Sequence, residues 1–198
     1  KLMLYDPAKP DEKDWTTFLP EKSERLEYTS PAGGKLFVTY LKDVAAHTYV
    51  YDRSGKLENE IAFPGPGTAT GFVGRKDERE LFYVFTSMNY PPTIFRYDIA
   101  SRKTSVFRIP EIPGFKEGAF ESKQVFFSSK DGTRVPMFLV YRTGLKLDGR
   151  NPTILYGYGG FDITLNPTFS ASRLAWLEQG GVFAMVNLRG GGEYGEKW

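Results

Sequence analysis

Residues 153–187 read TILYGYGGFDITLNPTFSASRLAWLEQGGVFAMVN, and the succession of periods in this stretch decides the fold of the C-terminal part of the chain. Thr153–Tyr156 is a short apolar run of the buried-strand type, ended by the glycine-rich turn Gly157-Tyr158-Gly159-Gly160-Phe161. Thr168–Gln179 then places Ala171, Leu174, Ala175 and Glu178 at helical spacing, and Gly180-Gly181 predicts its stop. Val182–Asn187 is a second buried strand, followed by Leu188-Arg189-Gly190-Gly191-Gly192. Strand, glycine-rich turn, helix and strand make a βαβ unit, and a βαβ unit requires a parallel sheet.

Working upstream, Leu147–Pro152 is a polar loop. Gln124–Ser128 and Val135–Tyr141 are apolar runs separated by Lys130-Asp131-Gly132-Thr133. Asp-Gly between two β runs predicts a hairpin. Pro110–Gly114, with two prolines and a glycine, reads as a linker.

Before that linker the pattern is repetitive. Tyr5-Asp6, Tyr51-Asp52 and Tyr97-Asp98 recur at intervals of 46 residues. Leu36-Phe37 matches Leu81-Phe82 at an offset of 45, as do Tyr40 with Phe85 and Thr48 with Thr93. After a one-residue insertion at Arg96, Phe63-Pro64 matches Ile109-Pro110 at 46. A period near 45 fits a four-stranded propeller blade and is too long for ankyrin or tetratricopeptide units. Lys35–Leu41 and Leu81–Thr86 read as inner strands, Thr48–Tyr51 and Ile94–Tyr97 as the next, and Glu58–Phe63 and Thr104–Ile109 as the last of each unit. A β-sandwich with coincidental spacing is the other reading of the same runs. The expected fold class is therefore all-β propeller blades, two whole and one partial, over residues 1–113. Residues 114–198 are expected to form the beginning of an α/β domain, which the resemblance given below makes the incomplete N-terminal part of an α/β-hydrolase domain.

Composition narrows the function. The 198 residues carry 26 Lys+Arg against 24 Asp+Glu, a net charge of +2, which gives no electrostatic footprint for nucleic acid or an anionic membrane. With 0 Cys there is no thiol nucleophile, disulfide or cysteine zinc site, and a single histidine, His47, removes multi-histidine metal motifs. No apolar run approaches the ~18 residues of a membrane-spanning helix. Lys1–Asp6 shows no signal-peptide pattern, and the chain is expected to begin inside a longer protein.

The turn after Thr153–Tyr156 is the richest candidate site, because ligands of open α/β sheets bind at the carboxyl ends of the strands. A dinucleotide fingerprint fails there, since Asp162 stands where the third glycine belongs. A phosphate loop fails at Gly190–Gly192, which is followed by Glu193-Tyr194. In hydrolases of this architecture the corresponding loop supplies an oxyanion-hole donor. Tyr158 offers a hydroxyl above the sheet and Phe161 a flat apolar wall. Both could equally be packing residues of a tight turn.

Tyr156–Phe161, the predicted helix, and Asn187-Leu188-Arg189-Gly190-Gly191-Gly192-Glu193-Tyr194-Gly195 closely resemble the prolyl oligopeptidase family, and Gln124–Met137 resembles its re-entry into the hydrolase domain. Oligopeptidase B is similar but generally lacks Gly-Phe after Tyr-Gly-Tyr-Gly, so Gly160-Phe161 favours the proline-specific branch. The resemblance implies a serine endopeptidase, an α/β-hydrolase capped by a seven-bladed propeller, cleaving short peptides after proline without cofactor or metal. Its implied partners are short proline-containing peptides and the remaining segments of the same protein, with no nucleic acid or membrane. The implied location is cytoplasmic, and the absence of Cys fits the periplasm equally. By the same resemblance Tyr158 donates to the oxyanion and Phe161 lines the proline pocket. No further role is carried over: Arg189, Glu193 and Tyr194 lie in the shared motif and are read as structural.

The chain departs from the family's chemistry in one respect. No serine lies in Gly-x-Ser-x-Gly, and His47 precedes any position a nucleophile could take. The triad is absent from this sequence and the chain alone is expected to be inactive. The competing expectation is a non-catalytic propeller scaffold, acting in protein interactions, with a degenerate hydrolase segment.

Overall fold

A computed structural model describes all residues, Lys1–Trp198. Two short strands, β1 (Leu2–Leu4) and β2 (Thr16–Leu19), pair antiparallel. Strands β3 (Arg25–Ala32), β4 (Lys35–Lys42), β5 (Ala45–Tyr51) and β6 (Leu57–Ile61) form an antiparallel meander. A second meander follows in β7 (Thr68–Thr70), β8 (Glu80–Ser87), β9 (Tyr90–Asp98) and β10 (Lys103–Arg108). The fourth sheet contains β11 (Phe120–Ser128), β12 (Arg134–Arg142), β13 (Thr153–Gly157) and β14 (Val182–Val186) in the order β11-β12-β14-β13. One helix, α1 (Ala171–Glu178), connects β13 to β14, which are parallel. Four sheets and one helix make the chain predominantly β, consistent with a β-propeller domain.

The offset of 45 is visible in the packing. Leu36 and Tyr40 of β4 turn toward β1–β2, in a cluster with Leu19, Val38 and Tyr51. Their counterparts Leu81 and Phe85, with Tyr83 and Tyr97, turn toward the first meander and pack on Phe37, Val50 and Ile61. Each unit thus buries the same face on its predecessor. Aromatic rings fill the seam: Phe37 stacks on Phe72, Phe72 on Tyr83 and Tyr83 on Phe95, with centroids 5.9, 4.7 and 5.3 Å apart. Such pairs add ~0.5–1.5 kcal/mol each beyond area burial. Phe82 is the counterpart of the buried Phe37, yet it stays 39% exposed beside Phe107, because no further sheet covers that side.

The recurrent Tyr-Asp is a turn device. Asp52 Oδ1 accepts from the amides of Ser54 and Lys56 at 2.8 and 3.0 Å, and Asp98 Oδ1 accepts from the Ser101 amide at 2.7 Å. The Ser54 hydroxyl and the Ser101 amide are the main causes holding these two carboxyls below the usual carboxylate range. Asp6 Oδ1 accepts from the Ala8 amide in the same way.

Several local expectations need correction. β4 and β8 are each the second strand of their sheet, since Arg25–Ala32 and Thr68–Thr70 also pair. Helix α1 starts three residues later than its periodicity predicts. Thr68 Oγ1 donates to the Pro167 carbonyl at 3.1 Å and the Phe169 amide donates to Thr86 Oγ1 at 3.2 Å, drawing 167–169 onto the second meander. Its buried face is Leu174 and Leu177, not Ala171, Ala175 and Glu178, because the helix lies on β12 and β14 over Phe138, Val140 and Met185. Thr153–Tyr156 is not a buried strand: it sits at the sheet edge, bonded only to β14, with Leu155 69% exposed. Pro110–Gly114 is irregular but docked, with Ile112 packed on the junction cluster.

Candidate functional site

Parallel pairing of Gly157 with Val186 places the loops that follow β13 and β14 at one end of the sheet. The two loops touch through backbone. The Asp162 amide donates to the Gly190 carbonyl at 3.1 Å. A Cβ on Gly159 would meet Leu188 Cβ at 2.6 Å and the Arg189 carbonyl at 2.8 Å, so only glycine permits this approach.

Tyr158 and Phe161 lie on the first loop. Tyr158 is 47% exposed, so the residue is not buried in apolar packing. Phe161 is 90% exposed, so little of residues 1–198 covers its ring. Phe161 and Asp162 both adopt left-handed backbone, with φ of +54° and +55°. For a bulky residue this is a genuine outlier, and such conformations persist only where surrounding contacts impose them.

Three residues of the second loop anchor it. The Arg189 guanidinium pairs with Asp131 and donates to Ser129 Oγ at 3.2 Å, fastening the loop to the β11–β12 hairpin. The Thr133 amide, then Arg189, hold the Asp131 carboxyl down at about 2. Glu193 is buried, and its Oε1 accepts from the Leu165 amide at 3.0 Å and from Asn187 Nδ2 at 3.1 Å. The Tyr194 hydroxyl donates to Asp43 Oδ1 at 2.9 Å. Burial first, and the Asp43 acceptor second, push that phenol well above its usual range.

Asp43 belongs to the tight turn between β4 and β5, where Asp43 and Val44 have φ of +47° and +66°. Val44 is fully buried among Met88, Phe138, Leu174 and Met185, so this turn plugs the first meander into the fourth sheet. Gln124 Nε2 donates to the Asp43 carbonyl at 2.5 Å and Asn89 Nδ2 to the Phe120 carbonyl at 3.0 Å across the same junction. A cavity of about 200 Å³ lies there between Phe85, Ser87, Asn89 and Gln124. It is smaller than the ~300 Å³ from which ligand pockets typically start.

Sequence reasoning placed Tyr158 and Phe161 on one loop, and the structure does the same. It missed Arg25, Asp43 and Val44, which touch these loops or this junction across long sequence separations. Only Val44 left a trace, as a β-branched residue in a two-residue turn where glycine is preferred. His47 lies within β5, its Nδ1 2.6 Å from Glu60 Oε1 on the neighbouring strand, remote in sequence from the loops.

Comparison with known proteins agrees with the repeat. Residues 1–110 match the family model described as prolyl oligopeptidase, N-terminal beta-propeller domain. The chain is 48% identical over 189 residues to a prolyl endopeptidase of Elizabethkingia miricola, covering 96% of this chain and 26% of that protein. It is 36% identical over 199 residues to a prolyl endopeptidase of Dictyostelium discoideum, covering 97% and 26%. Among solved structures, one from a study of two prolyl endopeptidases superposes with a TM-score of 0.92 at 42% identity, covering 99% of this chain and 29% of that one. Prolyl oligopeptidase B from Galerina marginata, bound to a 35mer hydrolysis and macrocyclization substrate, superposes with a TM-score of 0.91 at 34% identity, covering 99% and 28%. The chain spans about a quarter of the length of the curated relatives it matches. With more than half of its residues matched by the family model, the chain belongs to the prolyl oligopeptidase family.

Proposed function

We propose that the chain is a segment of a serine endopeptidase that hydrolyses short peptides on the carboxyl side of proline. In this reading residues 1–113 are the last blades of a propeller and residues 114–198 the first part of an α/β-hydrolase domain. The observation that carries it is the strand order β11-β12-β14-β13, with β13 and β14 parallel and joined by a helix, and both glycine-rich loops at their carboxyl ends. That is where hydrolases of this architecture place an oxyanion donor. The exposed edge of β13, apolar at Ile154, Leu155 and Tyr156, is the place for the next strand of such a sheet.

The chemistry is acyl transfer. A serine, its proton taken by a histidine, attacks the carbonyl carbon of the proline residue; the C–N bond to the next residue breaks, its amine leaves with that proton, and water then hydrolyses the acyl-enzyme. Those groups lie outside this chain. Its own contributions are the Tyr158 hydroxyl, which donates to the developing oxyanion, and Phe161, one wall for the proline ring. A preorganised donor is worth about 3–4 kcal/mol in the transition state, but without a nucleophile it gives little rate. The test is hydrolysis of a chromogenic Gly-Pro substrate by the chain alone and by the polypeptide that carries it together with its downstream segment. The longer polypeptide should cleave and be silenced by a serine-directed phosphonate, while the chain alone stays inert. Inertness of both, with no Gly-x-Ser-x-Gly downstream, would favour a propeller scaffold acting through protein contacts.

A further inference from the structure

Arg25 begins on β3, in the first meander, but its guanidinium ends between the two glycine-rich loops. Nη1 donates to Thr164 Oγ1 at 2.7 Å and to the Gly192 carbonyl. Nη2 stands 3.7 Å from Asp162 Oδ2, and Nε stands 3.7 Å from Glu27 Oε2, which holds the other side of the group. The side chain is only 26% exposed, so these contacts are partly shielded from water. Gly192 leaves the space it occupies: a Cβ there would collide with the guanidinium and come within 2.5 Å of the Asp162 carbonyl.

This fork grips the loop immediately after Phe161. The left-handed pair Phe161-Asp162 has two backbone ties of its own, Asp162 amide to Gly190 carbonyl at 3.1 Å and Ile163 amide to Gly160 carbonyl at 3.0 Å. Arg25 adds side-chain contacts to Asp162 and Thr164 on one loop and a backbone contact to Gly192 on the other. A planar guanidinium serves three acceptors at fixed angles, which a lysine ammonium on a flexible stem does not.

We propose that Arg25 is a positioning residue: reaching from the β-repeat region, it fixes the 161–164 loop and so the placement of Phe161 for substrate. The inference rests on the reading of Phe161 as a wall of the proline pocket. It makes that wall depend on docking of the first meander, because any separation of that meander from the loops withdraws the guanidinium.

The test uses the polypeptide that carries this chain with its downstream segment, as wild type, Arg25→Met and Arg25→Lys. Two readouts are taken: steady-state kinetics on a chromogenic Gly-Pro substrate, and hydrogen exchange of the amides of residues 161–165. Loss of a charge-assisted contact set of this kind is expected to raise KM about tenfold in Arg25→Met with kcat within about twofold. Exchange of 161–165 should quicken by a similar factor while β4 and β8 stay unchanged. Arg25→Lys should fall between, since one donor survives, and it serves as the milder variant if Arg25→Met folds poorly. Unchanged exchange at 161–165, or an acceleration spread evenly over β4 and β8, would overturn the proposal. So would a fall in kcat at constant KM. Local acceleration in a polypeptide that cleaves no Gly-Pro substrate would sink the peptidase reading and leave the positioning of the loop by Arg25 standing.

Discussion

Val44 sets two energies against each other. The two-residue turn Asp43-Val44 joins Lys42 to Ala45, and both residues have positive φ, the type I′ geometry that ordinarily takes Asn-Gly. Holding an L-residue there costs ~1–2 kcal/mol, and a β-branched side chain is the least suited to it. Against this stands full burial of the isopropyl group in the cluster of Met88, Phe138, Leu174 and Met185, worth ~1.5–3 kcal/mol. Val44→Ala deletes two methyl groups, ~1.6 kcal/mol of transfer energy, and leaves a small cavity that brings the loss to about 2 kcal/mol. The left-handed strain mostly remains. Val44→Gly forfeits about 0.8 kcal/mol more burial but recovers the ~1–2 kcal/mol of strain, so its net loss is about 1–2 kcal/mol. Glycine in this β-hairpin is therefore expected to be no worse than alanine, the reverse of the usual strand preference. Urea unfolding followed by tryptophan fluorescence measures both variants, Trp176 lying on the helix beside this cluster. It is run on the chain at low concentration, or on the longer polypeptide if the chain self-associates. A Val44→Gly protein less stable than Val44→Ala by more than ~1 kcal/mol would refute the strain argument.

Two further outcomes are expected. Tyr158→Phe, in a polypeptide that also carries the nucleophile, should lower kcat on a Gly-Pro substrate by about a hundredfold or more with KM little changed, as loss of an oxyanion donor does; an unchanged kcat would remove Tyr158 from the reaction. The Asp131 carboxyl titrates at about 2 in the fold against an ordinary 3.8. A depressed folded value means that its contribution is present above pH ~4 and is lost as pH falls toward 2. Melting temperature recorded between pH 2 and 5 should therefore decline more steeply for the wild type than for Asp131→Asn, and parallel curves would count against it.

The repeat was legible because its signals are local. Tyr51-Asp52 and Tyr97-Asp98 end strands and fold the next turn through their own carboxylates, so the spacing of 46 residues survives in sequence. Asp131-Gly132 announced its hairpin for the same reason, as did the alternation of glycine-rich turn, helix and strand after Thr153. The candidate loop was equally readable, since glycines cluster where two backbones meet. What escaped is what acts across distance. The late start of α1 comes from the second meander holding Pro167 and Phe169.

By itself, then, the sequence determined the strand-and-turn grammar, the βαβ unit and the loop that carries Tyr158 and Phe161, because each depends on residues within a few positions of one another. Only the tertiary structure decided which faces are covered, why valine occupies a left-handed turn, and that an arginine from the repeat region grips the loop beside Phe161. Those outcomes depend on contacts separated by 139 residues between Arg25 and Thr164, or 151 between Asp43 and Tyr194, and no local period encodes a partner so far along the chain.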